Sequence, residues 1–241
     1  MPVPTSRAVP FTILGVAVIL LIIGTYLGLA IAPPEHFMGD VQRIMYVHVP
    51  TAWSAMLVFT WAFVCAIFFL TTATWKWDNR LEAAIEVAVL FSFLLCMQGS
   101  IWAKPTWGVW WDWDPRLTTM AVLLFAFLGI AALRHFVDNP SRRATWSAVA
   151  TIVGYVDVPI VYFSVRWWNS LHQQQSTAAT ISKDFVWPLT LNALGILLLM
   201  IAALTLRTRV AAAHLAEEIA PPPELEPKAA ALISQPARGI A

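Results

Sequence analysis

The run Trp102-Ala-Lys-Pro-Thr-Trp107-Gly-Val-Trp110-Trp111-Asp-Trp113-Asp114-Pro-Arg116-Leu-Thr118 decides how this chain is read. Five of its first twelve residues are tryptophan. It lies between two apolar stretches, 81–102 and 117–133, each near the roughly 17–25 residues that a membrane-spanning helix requires. The run is therefore an interfacial loop. Indole rings do settle at the membrane–water boundary, but such belts are sparse. Five packed together make a broad apolar surface with one N–H handle per ring. That surface suits a flat, largely apolar partner lying against the membrane.

Working outward, the composition agrees. Hydrophobic residues make up 59% of the 241 and charged residues only 12%, against about 45–50% and 25% in soluble domains. Mean hydropathy is +0.68. Six apolar runs, at about 11–32, 51–74, 81–102, 117–133, 146–165 and 188–206, predict an all-α polytopic membrane protein with six transmembrane helices. The fourth is the shortest. The first exceeds the apolar core of a signal peptide and has no small-residue cleavage site after Ala32, so it reads as a retained helix. The expected organisation is a short N-terminus at 1–10, a membrane domain at 11–206 and a tail at 207–241. From Ala220 the tail runs Pro221-Pro-Pro-Glu-Leu-Glu-Pro-Lys228, the composition of a disordered extension.

Lysine and arginine set the orientation. Eight lie near the membrane on the N-terminal side (Arg7, Lys76, Arg80, Arg134, Arg142, Arg143, Arg207, Arg209) and five on the other (Arg43, Lys104, Arg116, Arg166, Lys183). The positive-inside rule puts both termini in the cytoplasm. The loops 33–50, 103–117 and 166–187 then face outward, which in a bacterial inner membrane means the periplasm. Nine tryptophans gather at that face and three at the other (Trp75, Trp77, Trp146). An anchoring belt alone would be nearer symmetric.

Two histidines share the outer face. His48 follows Tyr46-Val at the mouth of helix 2, where Pro50 fits the first turn, and His172 lies just outside helix 5 in Arg166-Trp167-Trp168-Asn169-Ser-Leu171-His172. Fixed on separate helix ends, they could close on one metal from opposite sides, or each could simply bond headgroups and loop backbone. The metal such a site suits is haem iron, with imidazole as axial ligand and indoles against the porphyrin. Zinc fits less well, because the outer loops offer no thiolate. His135 and His214 fall on the inner side among basic residues and read as solvated, and His36 follows Pro33-Pro34-Glu35 in the first outer loop. Cys65 and Cys96 sit at depths that differ by roughly 12 Å at 1.5 Å per residue, too far for a disulfide, and read as core.

The segment Trp107-Gly-Val-Trp110-Trp111-Asp-Trp113-Asp114-Pro-Arg116-Leu-Thr118 resembles the tryptophan-rich signature of haem-handling membrane proteins. Tyr46-Val-His48-Val-Pro50 and Trp167-Trp168-Asn169-Ser-Leu171-His172-Gln173 are similar to one branch, the haem exporter protein C (CcmC) family of cytochrome c maturation. The likeness runs from about residue 10 to 206. It implies haem b handled as cargo at the periplasmic face of the inner membrane, with His48 and His172 as axial ligands. Trp107, Trp110, Trp111, Trp113, Asp114, Trp167 and Trp168 are the further haem-site candidates. The implied partners are a periplasmic haem chaperone, a small single-helix subunit and a two-component ABC transporter, with membrane lipid and without nucleic acid. A handling and transfer protein is expected rather than an enzyme.

Local readings remain beside this. If 107–114 is helical, Trp107, Trp110, Trp111 and Asp114 share one face and Trp113 points away. Asp114 before Pro115 also reads as an N-cap for helix 4. Arg43, Lys104, Arg116 and Arg166 are the cations available to haem propionates. Asp157 is a carboxylate within a span, read either as a proton or substrate path or as a local consequence of Pro159. Glu82 and Glu86 should face Arg80 or a partner helix. Two other functions compete: an integral b-type electron carrier, which needs histidines paired inside the bilayer, and a secondary transporter built on Asp157, which lacks an evident repeat.

Overall fold

A computed structural model describes residues 8–172 and 181–220. The segments that it describes are helical apart from short loops and an isolated bridge between Glu35 and Gly39. Helix α1 (Ala8–Tyr26) continues through one wider π turn at Leu27–Ile31, and a 3-10 stretch, Asp40–Ile44, leads into α2 (Met45–Thr72). Then come α3 (Trp75–Trp107), α4 (Pro115–Phe136), α5 (Pro140–Tyr155), α6 (Asp157–Trp167) and α7 (Lys183–Glu218). Taking α5 and α6 as one broken span, six helical stretches are long and apolar enough to cross a membrane. The protein is a polytopic all-α membrane protein.

Helix ends, not helix number, depart from the sequence reading. The last four spans outrun their apolar runs at both ends, because helix-forming residues continue past the last hydrophobic one, and the first two begin earlier but stop at Ile31 and Thr72. Helix α2 begins at Met45, so His48 lies in its first turn rather than before it, and Pro50 is inside the helix. Helix α3 continues through Lys104 and Pro105 to Trp107. Helix α7 passes Leu206 and ends at Glu218, so the first part of the expected tail is helix, where alanine-rich sequence sustains it. The expected disorder at 221–241 lies outside the described residues. The condition that 107–114 be helical is not met, since α3 ends at Trp107. Gly108, at φ 80°, closes α3 by donating its N–H to the Lys104 carbonyl, a left-handed cap that glycine alone adopts cheaply.

The core lies among α2, α3, α4, α5 and α7. Phe59 and Phe127 meet edge-to-face at 4.6 Å, fully buried, with Leu81, Ile85 and Leu123 around them. Helix α1 packs on α7, brought close by Gly195, where a Cβ would stand 2.7 Å from Leu21 Cγ. Gly195→Leu should therefore loosen α1 from the bundle, read as faster proteolysis of α1 at unchanged membrane insertion. At the end away from the tryptophan loop the bundle is tied by charge. Arg134 of α4 donates to Asp78 (2.8 and 3.1 Å) and Glu82 (2.5 Å) of α3 and to Ser147 of α5 (2.7 Å). Arg207 of α7 pairs with Glu86. Glu82 and Glu86 thus face partner helices. Cys65 is buried and Cys96 half-buried, both as free thiols.

Candidate functional site

The ends of α2, α3, α4, α6 and α7 next to the segments 33–44, 108–114 and 168–172 surround a cavity of about 1060 Å³. Small-molecule and cofactor pockets run to about 1,000 Å³, so this one has room for a large ligand. His48 and His172 both line it. They come from elements 124 residues apart in the chain, and nothing local in the sequence fixes their meeting.

His48 is only 9% exposed. Its ring meets Trp102 edge-on at 5.4 Å and lies over Gly99, where a Cβ would come within 3.3 Å of its Cε1. Its Nδ1 is buried without a hydrogen-bond partner. His172 and Arg116 line the same cavity, so all three face one space.

His172 is held by a clamp. Asp114 caps α4 by accepting from the Arg116 N–H (2.9 Å), and its second oxygen accepts from the Ser170 hydroxyl (2.6 Å) and the Leu171 N–H (2.7 Å). Ser170 in turn accepts from the His172 N–H at 3.0 Å, and the His172 ring meets Trp107 edge-on at 6.3 Å. Burial alone would raise the Asp114 pKa. The Ser170 hydroxyl, the Arg116 and Leu171 amides and the charge of His172 together hold it below the usual carboxylate value. A depressed carboxylate contributes stability above its unfolded pKa, about 3.9, and loses it as pH falls through the lower folded value. The clamp is thus fully set at neutral pH. Asp114→Ala removes the cap and strands two donors. It should free the 168–172 segment, read as faster amide exchange at Leu171 and His172 with the spans still inserted.

The tryptophan-rich run divides. Trp102, Trp107 and Trp111 line the cavity, the indole nitrogens of Trp102 and Trp111 being buried without partners. Trp110 and Trp113 are 58% and 78% exposed and stand outside the lining. Trp167 and Trp168 are also exposed, Trp167 stacked on Phe163. Of the four candidate cations only Arg116 lines the cavity, and its Nη1 is buried without a partner. Arg43 pairs with Asp40 and the Gly28 carbonyl, Lys104 bonds the Gly108 carbonyl at 2.8 Å, and Arg166 lies over Phe163. Asp157 sits at the α5–α6 break, away from the cavity, with one carboxylate oxygen buried and unpartnered.

Sequence reasoning missed three contributors. Gly99 makes room for His48, and Ser170 carries the clamp. Met38, Met45, Met56 and Met120 supply much of the soft apolar wall. Only the methionines are a type that sequence could flag, and no spacing sets them apart from core.

A six-span helical membrane protein with two imidazoles, indoles and one cation around a single cavity is the class these features define. Residues 3–219 match the family model "Heme exporter protein C". The chain is 40% identical over 204 residues to "Heme exporter protein C" of Bradyrhizobium diazoefficiens, covering 82% of this chain and 76% of that one. It is 34% identical to that of Escherichia coli K12, covering 80% and 79%. A "Putative cytochrome c biosynthesis ccmC-like mitochondrial protein" of Arabidopsis thaliana is 30% identical, over 85% and 79%. The chain belongs to the haem exporter protein C family.

Proposed function

We propose that this protein binds haem in the cavity and presents it for the maturation of c-type cytochromes. The observation that carries the reading is the convergence of His48 and His172, from different elements, on one cavity where Trp102 Nε1, Trp111 Nε1 and Arg116 Nη1 are buried without partners. The chemistry fits the cargo. Imidazoles suit its iron, Arg116 suits a propionate, and Trp102, Trp107 and Trp111 supply apolar ring faces with N–H donors. The two names that the relatives carry, haem exporter and cytochrome c biosynthesis protein, support the same reading.

In this account the site faces the periplasm of the bacterial inner membrane, as the lysine and arginine bias supports, and haem b is cargo rather than a resident cofactor. The partners are a periplasmic haem chaperone that takes the haem, a small single-helix subunit and a two-component ABC transporter. The protein transfers rather than transforms. The division of the tryptophans gives the test. Trp107→Phe with Trp111→Phe should lower haem content of the purified protein. Stacking is worth roughly 0.5–1.5 kcal/mol per aromatic pair, and phenylalanine keeps part of it while losing ring area and the N–H, so the pair should lose about tenfold in affinity. Trp110→Phe with Trp113→Phe should leave haem content intact and reduce loading of the chaperone at equal membrane abundance. Haem content unaffected by the first pair would contradict the cavity assignment.

A further inference from the structure

The α2 wall of the cavity runs from Met45 down one helix face to Leu57, twelve residues and so roughly 18 Å into the span at 1.5 Å per residue. Two residues of that wall, Trp53 and Leu57, are 50% and 51% exposed although they line the cavity. Tyr162 of α6 and Val186 of α7 also line it and are also exposed. At that depth an exposed side chain faces acyl chains rather than water. One helical turn lower the flank closes. Tyr155 of α5 stacks on Phe63 at 4.3 Å, and its hydroxyl lies 3.2 Å from Thr60 Oγ1.

Resting on the haem reading above, we infer that the cavity has a lateral mouth along the outer flank of α2, framed by Trp53, Leu57 and Tyr162. Through it a planar, largely apolar ligand passes between the site and the leaflet on the same side of the bilayer. Chemistry favours this route. The frame is aromatic and aliphatic, and it presents no charge that an apolar ring would have to cross. Haem is itself amphiphilic, so it concentrates in lipid and can slide in ring-first, leaving its propionates toward Arg116 and the water-facing end.

A size series at Leu57 tests the mouth, because this side chain frames the opening and is not among the groups proposed to hold the ligand. The full-length protein is reconstituted in phosphatidylcholine vesicles, and iron protoporphyrin IX dissolved in the same bilayer is the probe. Uptake is followed by absorbance for Leu57→Ala, wild type, Leu57→Phe and Leu57→Trp. The rate should fall along that series, at least fivefold from Ala to Trp, with the same final haem content and spectrum. That common end point also reports that each variant is folded. A flat rate series with normal end points would overturn the lateral mouth and leave the haem site standing. Failure of the wild type to take up haem at all would sink the haem reading, and the mouth with it.

Discussion

Arg134→Ala is expected to destabilise the bundle by roughly 3–5 kcal/mol, the usual cost of removing one partner from a buried ion pair. Asp78 and Arg134 are each almost fully buried, and Glu82 is three-quarters covered. The guanidinium spans two helices at once and reaches the Ser147 hydroxyl of a third. Without it, two carboxylates face each other in a space that water scarcely reaches. Arg134→Lys should recover only part of the loss, because one ammonium cannot reproduce the planar fork that meets both acids. Replacing Arg134, Asp78 and Glu82 together by leucine should recover most of it, since no charge is then left unpaired. Unfolding by denaturing detergent, titrated against mild detergent, measures the difference. A loss of only about 1 kcal/mol, the worth of an exposed pair, would mean that water reaches this cluster.

The six spans were legible because hydropathy over a long window is set by composition, which contacts do not alter. Their ends were not, since backbone hydrogen bonding carries α3 past Lys104 to Trp107 and α7 past Leu206 to Glu218. Gly108 could have been read as a helix stop before Trp110. Glycine at that position favours the left-handed cap over continuation of the helix. Asp114 as a cap was legible, being a contact of two residues' reach. Its bonds to Ser170 and Leu171 span 56 and 57 residues, and no spacing encodes them. The same limit hid Arg134's partners, and it left four cations as equal candidates where only Arg116 lines the cavity.

Loss of haem on removing either cavity histidine is the other large effect expected. His48 stands in the first turn of α2, pinned between Gly99 and Trp102, and His172 hangs from the Asp114–Ser170 clamp. Neither needs a large movement of a span to meet a ligand in the cavity. Gly99→Val should weaken haem retention, because the added side chain must displace the His48 ring. His36 is exposed and lies against Phe37 outside the lining, so His36→Ala serves as the control. The most direct measurement is the absorption spectrum of protein purified with its haem, wild type beside His48→Ala, His172→Ala and His36→Ala. Wild type and His36→Ala should share a low-spin, six-coordinate spectrum. Each cavity variant should lose that spectrum and retain haem at least about tenfold more weakly, at or beyond the 10- to 100-fold typical even of outer-shell changes. An unchanged low-spin spectrum in both His48→Ala and His172→Ala, at full haem content, would contradict the account.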